Sequence, residues 1–293
     1  MTAEAQFQAA IAATGMTPPD AINADGHIHR WNGTDKRGNT RNSWYSLHLD
    51  GTPAGSFGDW AGLEKQSWCA KRDHDLTDNE RQVVRDRIRA VQRQRDAERD
   101  RIQAEAASRA LAIWTTATPA IEHPYLTRKA IKPHGIRTDG HHLFVPMRCT
   151  ASKLHSLQTI DPDGEKRFLP GGRVKGMYFA MGKPDGIVIV CEGLATGATI
   201  HERGAAVAVC FSAGNLLPVA LALREKYPDM SITVAADDDW QTVGNPGLTA
   251  ARAAASAVGG KLAVPNFDGL VRGIKDTDFN DMARLIREKE TAP

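Results

Sequence analysis

A few carboxylates stand out by where they fall in the chain. Glu192 follows the apolar run Ile187-Val-Ile-Val-Cys191. Asp237 and Asp239 follow Ile232-Thr-Val-Ala-Ala236, and Asp276 and Asp278 lie further on in Lys275-Asp-Thr-Asp278. Short runs rich in Val and Ile read as buried strands of a parallel sheet. A further run, Ala205-Ala-Val-Ala-Val-Cys210, lies between them. Runs of this kind alternating with helical segments make a doubly wound α/β fold, which gathers functional groups at the carboxyl ends of its strands. Carboxylates facing one rim are costly unless something positive sits among them. Carboxylate oxygens suit Mg²⁺ or Mn²⁺, so the chemistry expected here is that of a bound divalent cation.

The elements that must position these acids can be placed. Strands are expected at about 187–191, 205–210, 231–236 and 261–264, and helices at about 195–203, 214–226, 246–258 and 278–288. Neighbouring strands lie roughly 4.8 Å apart, so carboxylates at their ends can share a metal ion or a metal pair. Gly193 lets the chain turn sharply after Glu192. Ser212-Ala-Gly-Asn215 offers small polar residues suited to a ligand or a helix start. Any one of these acids alone would read as a helix cap or a solvated loop residue.

Val190-Cys-Glu-Gly193, Ala236-Asp-Asp-Asp239 and Lys275-Asp-Thr-Asp278 resemble the acidic motifs of the Toprim domain, which is shared by DnaG-type primases, topoisomerases and some nucleases. Asn245-Pro-Gly-Leu-Thr-Ala-Ala251 resembles the helix start after the second motif, with Trp240 to Gly244 as an insertion before it. Upstream, His123-Pro-Tyr-Leu-Thr-Arg-Lys-Ala-Ile131 resembles a segment of primase catalytic cores, with Ala130 where that pattern has glycine. The overall resemblance is to plasmid and phage primases of the TraC type. It implies that residues 117–184 supply a basic wall opposite the acids, with Lys166 and Lys175 as the carried-over cations and Arg167 and Arg173 beside them. These would bind nucleotide triphosphate and template phosphate. It further implies Glu192, Asp237 and Asp239 as catalytic residues, and a metal held by Glu192, Asp237, Asp239, Asp276 and Asp278.

Residues 77 to 114 form a helix without Gly or Pro, opened by a capping box of Thr77 and Glu80. Its arginines alternate with Asp and Glu, the pattern of a solvated connecting helix, and its apolar residues grow denser only near Leu111 and Trp114. Before it, a short helix at 3–13 stops near Gly15. Short alternating segments broken by Asp-Gly and Asn-Gly turns then suggest hairpins of a small β-rich module. Trp31, Trp44, Trp60 and Trp68 fall there. Trp31, Trp44 and Trp60 could stack the bases of single-stranded DNA, with Lys36, Arg37 and Arg41 nearby. A module this small also needs large aromatics for its own core. His27, His29 and His48 read as solvated or hydrogen-bonded side chains.

The expected organisation is therefore an α/β protein in four parts. Residues 1–76 form a β-rich module with a template-binding role, and 77–116 a long connecting helix. Residues 117–184 form an α+β basic subdomain, and 185–293 a Toprim domain with a Rossmann-like parallel sheet. A net charge of +2 over 293 residues leaves nucleic-acid binding to local patches. The four cysteines form no CxxC pair, so zinc is not expected. The free thiols and the lack of a signal peptide or long apolar span point to the cytoplasm and away from a membrane. No Walker A motif is present, so unwinding would fall to a separate helicase or replication initiator. The expected activity is metal-dependent synthesis of short RNA primers from ribonucleoside triphosphates on a single-stranded DNA template, serving a plasmid, phage or mobile element. The alternatives are a Toprim nuclease and a non-catalytic single-stranded-DNA-binding module.

Overall fold

In the computed structural model the run Ile187–Cys191 is a strand whose side chains alternate between two cores. Val188 and Val190 pack with residues of Ala213–Lys226 and Pro246–Ala257 on one face. Ile189 and Cys191 pack with residues of Leu194–His201 on the other. That division follows from the two-residue repeat of a strand, and it puts helices on both faces of one sheet. The structure describes residues 1–33, 42–59, 65–71 and 77–291.

The elements run α1 (Ala3–Ala13), β1 (His29–Trp31), β2 (Ser43–His48), β3 (Ala54–Asp59), β4 (Gln66–Cys69), α2 (Asp78–Thr116), β5 (Thr118–Pro119) and α3 (Pro124–Lys129). There follow β6 (Arg137–Thr138), β7 (Leu143–Arg148), β8 (Leu154–Ile160), β9 (Lys166–Phe168), β10 (Phe179–Met181), β11 (Ile187–Cys191), α4 (Leu194–His201) and β12 (Val207–Val209). Last come α5 (Ala213–Lys226), β13 (Ser231–Ala235), α6 (Pro246–Ala257), β14 (Lys261–Ala263) and α7 (Phe279–Thr291). Each strand and helix expected over residues 187–288 is present, with ends shifted by a few residues.

Two compact units emerge, Met1–Arg101 and Ile102–Pro293. The first holds the antiparallel sheet β1-β2-β3-β4, onto which α1 packs Phe7 and Ile11 against Tyr45, Leu47 and Phe57. The Thr77 and Glu80 capping box at the start of α2 forms as expected. The Glu80 amide donates to the Thr77 hydroxyl at 3.3 Å, and the Thr77 amide donates to the Glu80 carboxylate at 2.9 Å.

The second unit holds two sheets. One is antiparallel, β5-β6-β7-β8-β9, and the apolar end of α2 covers it through Ala110, Ile113 and Trp114 against Phe144, Leu154 and Leu157. The other is β10-β12-β11-β13-β14, parallel except at β10. A shared core joins them, with Tyr125, Leu126, Leu143 and Val145 meeting Ala195, Ala198 and Val209. Close approach of α4 to its sheet depends on Gly197, where a Cβ would lie 2.5 Å from the Val209 side chain. The Ala130 position has a physical account too. It ends α3 in the left-handed conformation at φ 51°, a geometry that glycine adopts without steric cost.

Candidate active site

Strand register decides which acids meet. Cys191 stands opposite Ala235 on β13 and opposite Val209 on β12. Glu192 and Asp237 therefore leave neighbouring parallel strands at the same rim. The Glu192 carboxylate accepts the backbone N–H of Ala213, the first residue of α5. Its carbonyl accepts from the Phe211 amide at 2.7 Å. Phe211 itself has φ 72°, a left-handed backbone on a bulky residue, so the turn beside Glu192 is strained.

Asp239 is fixed from two sides. Its Oδ2 accepts the Gly247 amide at 2.9 Å, and its own amide donates to Asn245 Oδ1 at 2.8 Å. Asp278 arrives from the loop before α7, where its Oδ1 accepts the Asp281 amide at 2.8 Å. Its Oδ2 accepts the Thr196 hydroxyl of α4 at 3.0 Å. Thr196 thus links the helix that follows Glu192 to the third acidic motif.

Electrostatics shows that these groups form one cluster. Burial first, then Asp278, Glu192 and Asp239, push the Asp237 carboxyl up to about 8, against an opposing pull from Lys166. Glu192 is raised by burial and then by Asp239, with Lys166 again opposing. Asp278 is raised by burial and then by Asp281. Asp237 Oδ1 is buried with no hydrogen-bond partner. Among the described residues no group of three His, Cys, Asp or Glu side chains already stands in a ligating arrangement. A divalent cation nevertheless fits the site. The donors are hard carboxylate oxygens, one oxygen lacks a partner, and the mutual repulsion needs a positive charge to relieve it.

Asp276 stands apart from this group. One of its oxygens pairs with Arg284 at 2.6 Å, and the other accepts the Gly273 amide at 2.7 Å. Asp238 also turns elsewhere, pairing with Arg272 at 2.8 Å.

On the basic side the four cations differ in their surroundings. Lys166, on edge strand β9, lies 5.8 Å from the centre of the Tyr125 ring and acts electrostatically on both Glu192 and Asp237. Arg167 points into a two-bond ion pair with Glu165, at 2.8 and 2.9 Å. Arg173 donates to the carbonyl of Lys175, whose side chain is exposed. Asn215 fastens that loop to the parallel sheet, accepting from Gly176 and donating to the carbonyls of Met177 and Cys210.

In the first unit, Trp44 is buried, with the Arg95 guanidinium 3.9 Å above its ring. Trp31 lines a cavity of about 780 Å³ together with Arg30, Tyr45, Arg95 and Arg101. Trp60 lies outside the described residues, as do Lys36, Arg37 and Arg41. Sequence reasoning missed the holding roles of Thr196, Asn215, Asn245 and Arg272, whose side chains bond the segments that carry the site. Asn215 and Asn245 each carried a signal, the first in the small polar run 212–215 and the second before a Pro-Gly helix start. No described helix is long and apolar enough to cross a membrane.

Residues 187–286 match the Toprim domain family, so the chain carries a Toprim domain built on the parallel sheet. The chain is 34% identical over 257 residues to a DNA primase TraC of Escherichia coli, an alignment covering 83% of this chain and 24% of that protein. A second Escherichia coli DNA primase TraC is 32% identical over 287 residues, covering 91% of this chain and 20% of that protein. The chain thus spans about a quarter or less of the length of the curated relatives it matches. Among solved structures, the primase fragment of the bacteriophage T7 primase-helicase protein aligns with a TM-score of 0.43 and 17% identity, over 60% of this chain and 77% of that one.

Proposed function

We propose that this Toprim-containing chain is a primase that makes short RNA primers on single-stranded DNA for plasmid replication. The observation that carries the reading is the gathering of Glu192, Asp237, Asp239 and Asp278 at one sheet rim, with Lys166 acting on Glu192 and Asp237 from β9. The similarity to DNA primase TraC over most of the chain supports the same reading.

In this reading Asp237, Asp239 and Asp278 would hold Mg²⁺ or Mn²⁺, and Glu192 would either join them as a ligand or serve as the base. Such a cation supplies neutralisation of triphosphate charge and a lowered pKa for the primer 3′-hydroxyl. Glu192, with its raised pKa and half-buried carboxylate, accepts the proton from that hydroxyl. Lys166 binds nucleotide phosphate, and Lys175 and Arg173 hold the template backbone. Arg167 must leave Glu165 to reach phosphate, so its share is smaller. Asp276 serves by holding the turn that presents Asp278, through Arg284 and Gly273.

The parts divide the work. Residues 117–184 carry the basic wall and 185–293 the acids, while 77–116 connect them to 1–76. The cavity beside Trp31 is the place in the first unit for a template base, because guanidinium groups and aromatic rings line it together. A separate helicase or initiator would supply unwinding.

The test is incubation with single-stranded DNA, Mg²⁺ or Mn²⁺ and labelled ribonucleotides. Short metal-dependent products that vanish in Asp237→Asn support the reading. Equal products from Asp237→Asn, or shortening of the template in place of synthesis, would overturn it.

A further inference from the structure

Arg272 is used by no step above, yet it bonds to both acidic loops. Its two terminal nitrogens donate to Asp238, one to the side-chain Oδ2 at 2.8 Å and one to the main-chain carbonyl at 2.9 Å. Its Nε donates to the main-chain carbonyl of Asp276 at 2.8 Å. The guanidinium also lies 4.0 Å from the Phe267 ring centre and 5.0 Å from that of Trp240. Asp238 sits between Asp237 and Asp239, and Asp276 is two residues before Asp278. One planar cation therefore spans the second and third acidic motifs.

Two further bonds close the same junction. The Asp238 amide donates to the Thr277 carbonyl at 2.8 Å. Asn245 Nδ2 donates to Asp238 Oδ1 at 2.6 Å, while its Oδ1 accepts the Asp239 amide. Both carboxylate oxygens of Asp238 are thus taken by the side chains of Asn245 and Arg272, which explains why it turns from the cluster.

We infer that Arg272 is a positioning residue that sets the spacing of Asp237 and Asp239 relative to Asp278, and so tunes the site's affinity for a divalent cation. Carboxylates that repel one another separate unless something rigid joins the loops that bear them. A guanidinium suits this because its donors are fixed in one plane and both ring faces can stack on it. Lysine supplies neither the fork nor the flat face. The inference rests on the reading of the acids as a cation site. It is independent of whether that site makes primers.

Mn²⁺ binding provides the test, followed by the electron paramagnetic resonance signal of the free ion and by the fluorescence of Trp240 beside the guanidinium. Arg272→Gln and Arg272→Lys are compared with wild type and with Arg224→Gln. Arg224 is a fair control, since it also clamps backbone, at Val258, Pro228 and Met230, away from the acids. The expected result is Mn²⁺ affinity lowered about tenfold or more in both Arg272 variants, the size usual when a residue that orients metal ligands is lost. Excess Mn²⁺ should restore binding in Arg272→Lys, and Arg224→Gln should bind as wild type. Unchanged affinity in Arg272→Gln, or an equal loss in Arg224→Gln, would overturn the assignment while leaving the cation site standing. A wild-type chain that binds no Mn²⁺ would sink both.

Discussion

Gly247 lies so close to Asp237 that a Cβ there would sit 2.6 Å from the Asp237 carbonyl oxygen and 2.8 Å from Asp239 Oδ2. The first turn of α6 is thereby seated directly under the second acidic motif. Gly247→Ala must push that motif aside, because the nearest atom is backbone and cannot rotate away. Overpacking of this kind costs about 1–3 kcal/mol. The expected outcome is a folded protein by circular dichroism with a lowered Tm and Mn²⁺ affinity reduced about tenfold.

The pH dependence of stability has a definite sign. Asp237 has its carboxyl raised from 3.8 to about 8, so the folded state holds that proton more tightly than the unfolded chain does. The associated stability is fully present below 3.8 and is lost as pH rises through about 8. Glu192 and Asp278 shift in the same direction. Thermal unfolding in a chelator should therefore give a Tm that falls from pH 6 to 9, with Mg²⁺ restoring it. Asp237→Asn should raise Tm at pH 8 in chelator by at least about 2–4 °C, the shift for ~1 kcal/mol in a protein of this size, while abolishing primer synthesis.

Much of the parallel domain was legible because its strands are runs of Val, Ile and Ala and its helix starts carry Gly, Pro or Asn. The capping box at Thr77 was legible for the same local reason. Whether Asp276 or Asp278 joins the cluster was not, because the spacing Asp-Thr-Asp puts both on one side of an extended chain. Arg284 and Thr196 decide it, and both lie outside the motif. Arg167 and Lys166 likewise look equivalent until Glu165 is seen to occupy the arginine. Trp44 and Trp31 carry the same expectation in the sequence, and only packing separates a buried ring from one that lines a cavity.

Ala130 offers a gain in stability. Its left-handed backbone at φ 51° costs an L-residue roughly 1 kcal/mol that glycine does not incur. Ala130→Gly should raise Tm by about 2–4 °C. Differential scanning fluorimetry checks this, and a lowered Tm would show that the flexibility of glycine outweighs the relief.

The capping box gives a second pH signature, opposite in sign. Glu80 is held down to about 2 by Lys71 first and then by the Thr77 amide and hydroxyl and by Thr52. Its contribution is present above 4.5 and is lost as pH falls through about 2. Glu80→Gln should lower Tm at pH 7 and match wild type at pH 2, read by helical circular dichroism.

Lys166 and Arg167 should separate kinetically. Lys166→Ala is expected to reduce kcat/KM for ribonucleotides about tenfold, the value of ~1.4 kcal/mol from one charge-assisted phosphate contact. Arg167→Ala should change it by less than about threefold, since Glu165 already neutralises that guanidinium. Equal losses in the two variants would mean that the ion pair opens in the working complex.

The central claim is that Glu192, Asp237, Asp239 and Asp278 hold one divalent-cation site at the sheet rim. Anomalous diffraction from crystals of the protein soaked in Mn²⁺ tests it most directly. A peak ligated by the unpartnered Oδ1 of Asp237, absent in crystals of Asp237→Asn, is the predicted result. Anomalous density confined to other residues, with Asp237 free of metal, would contradict it.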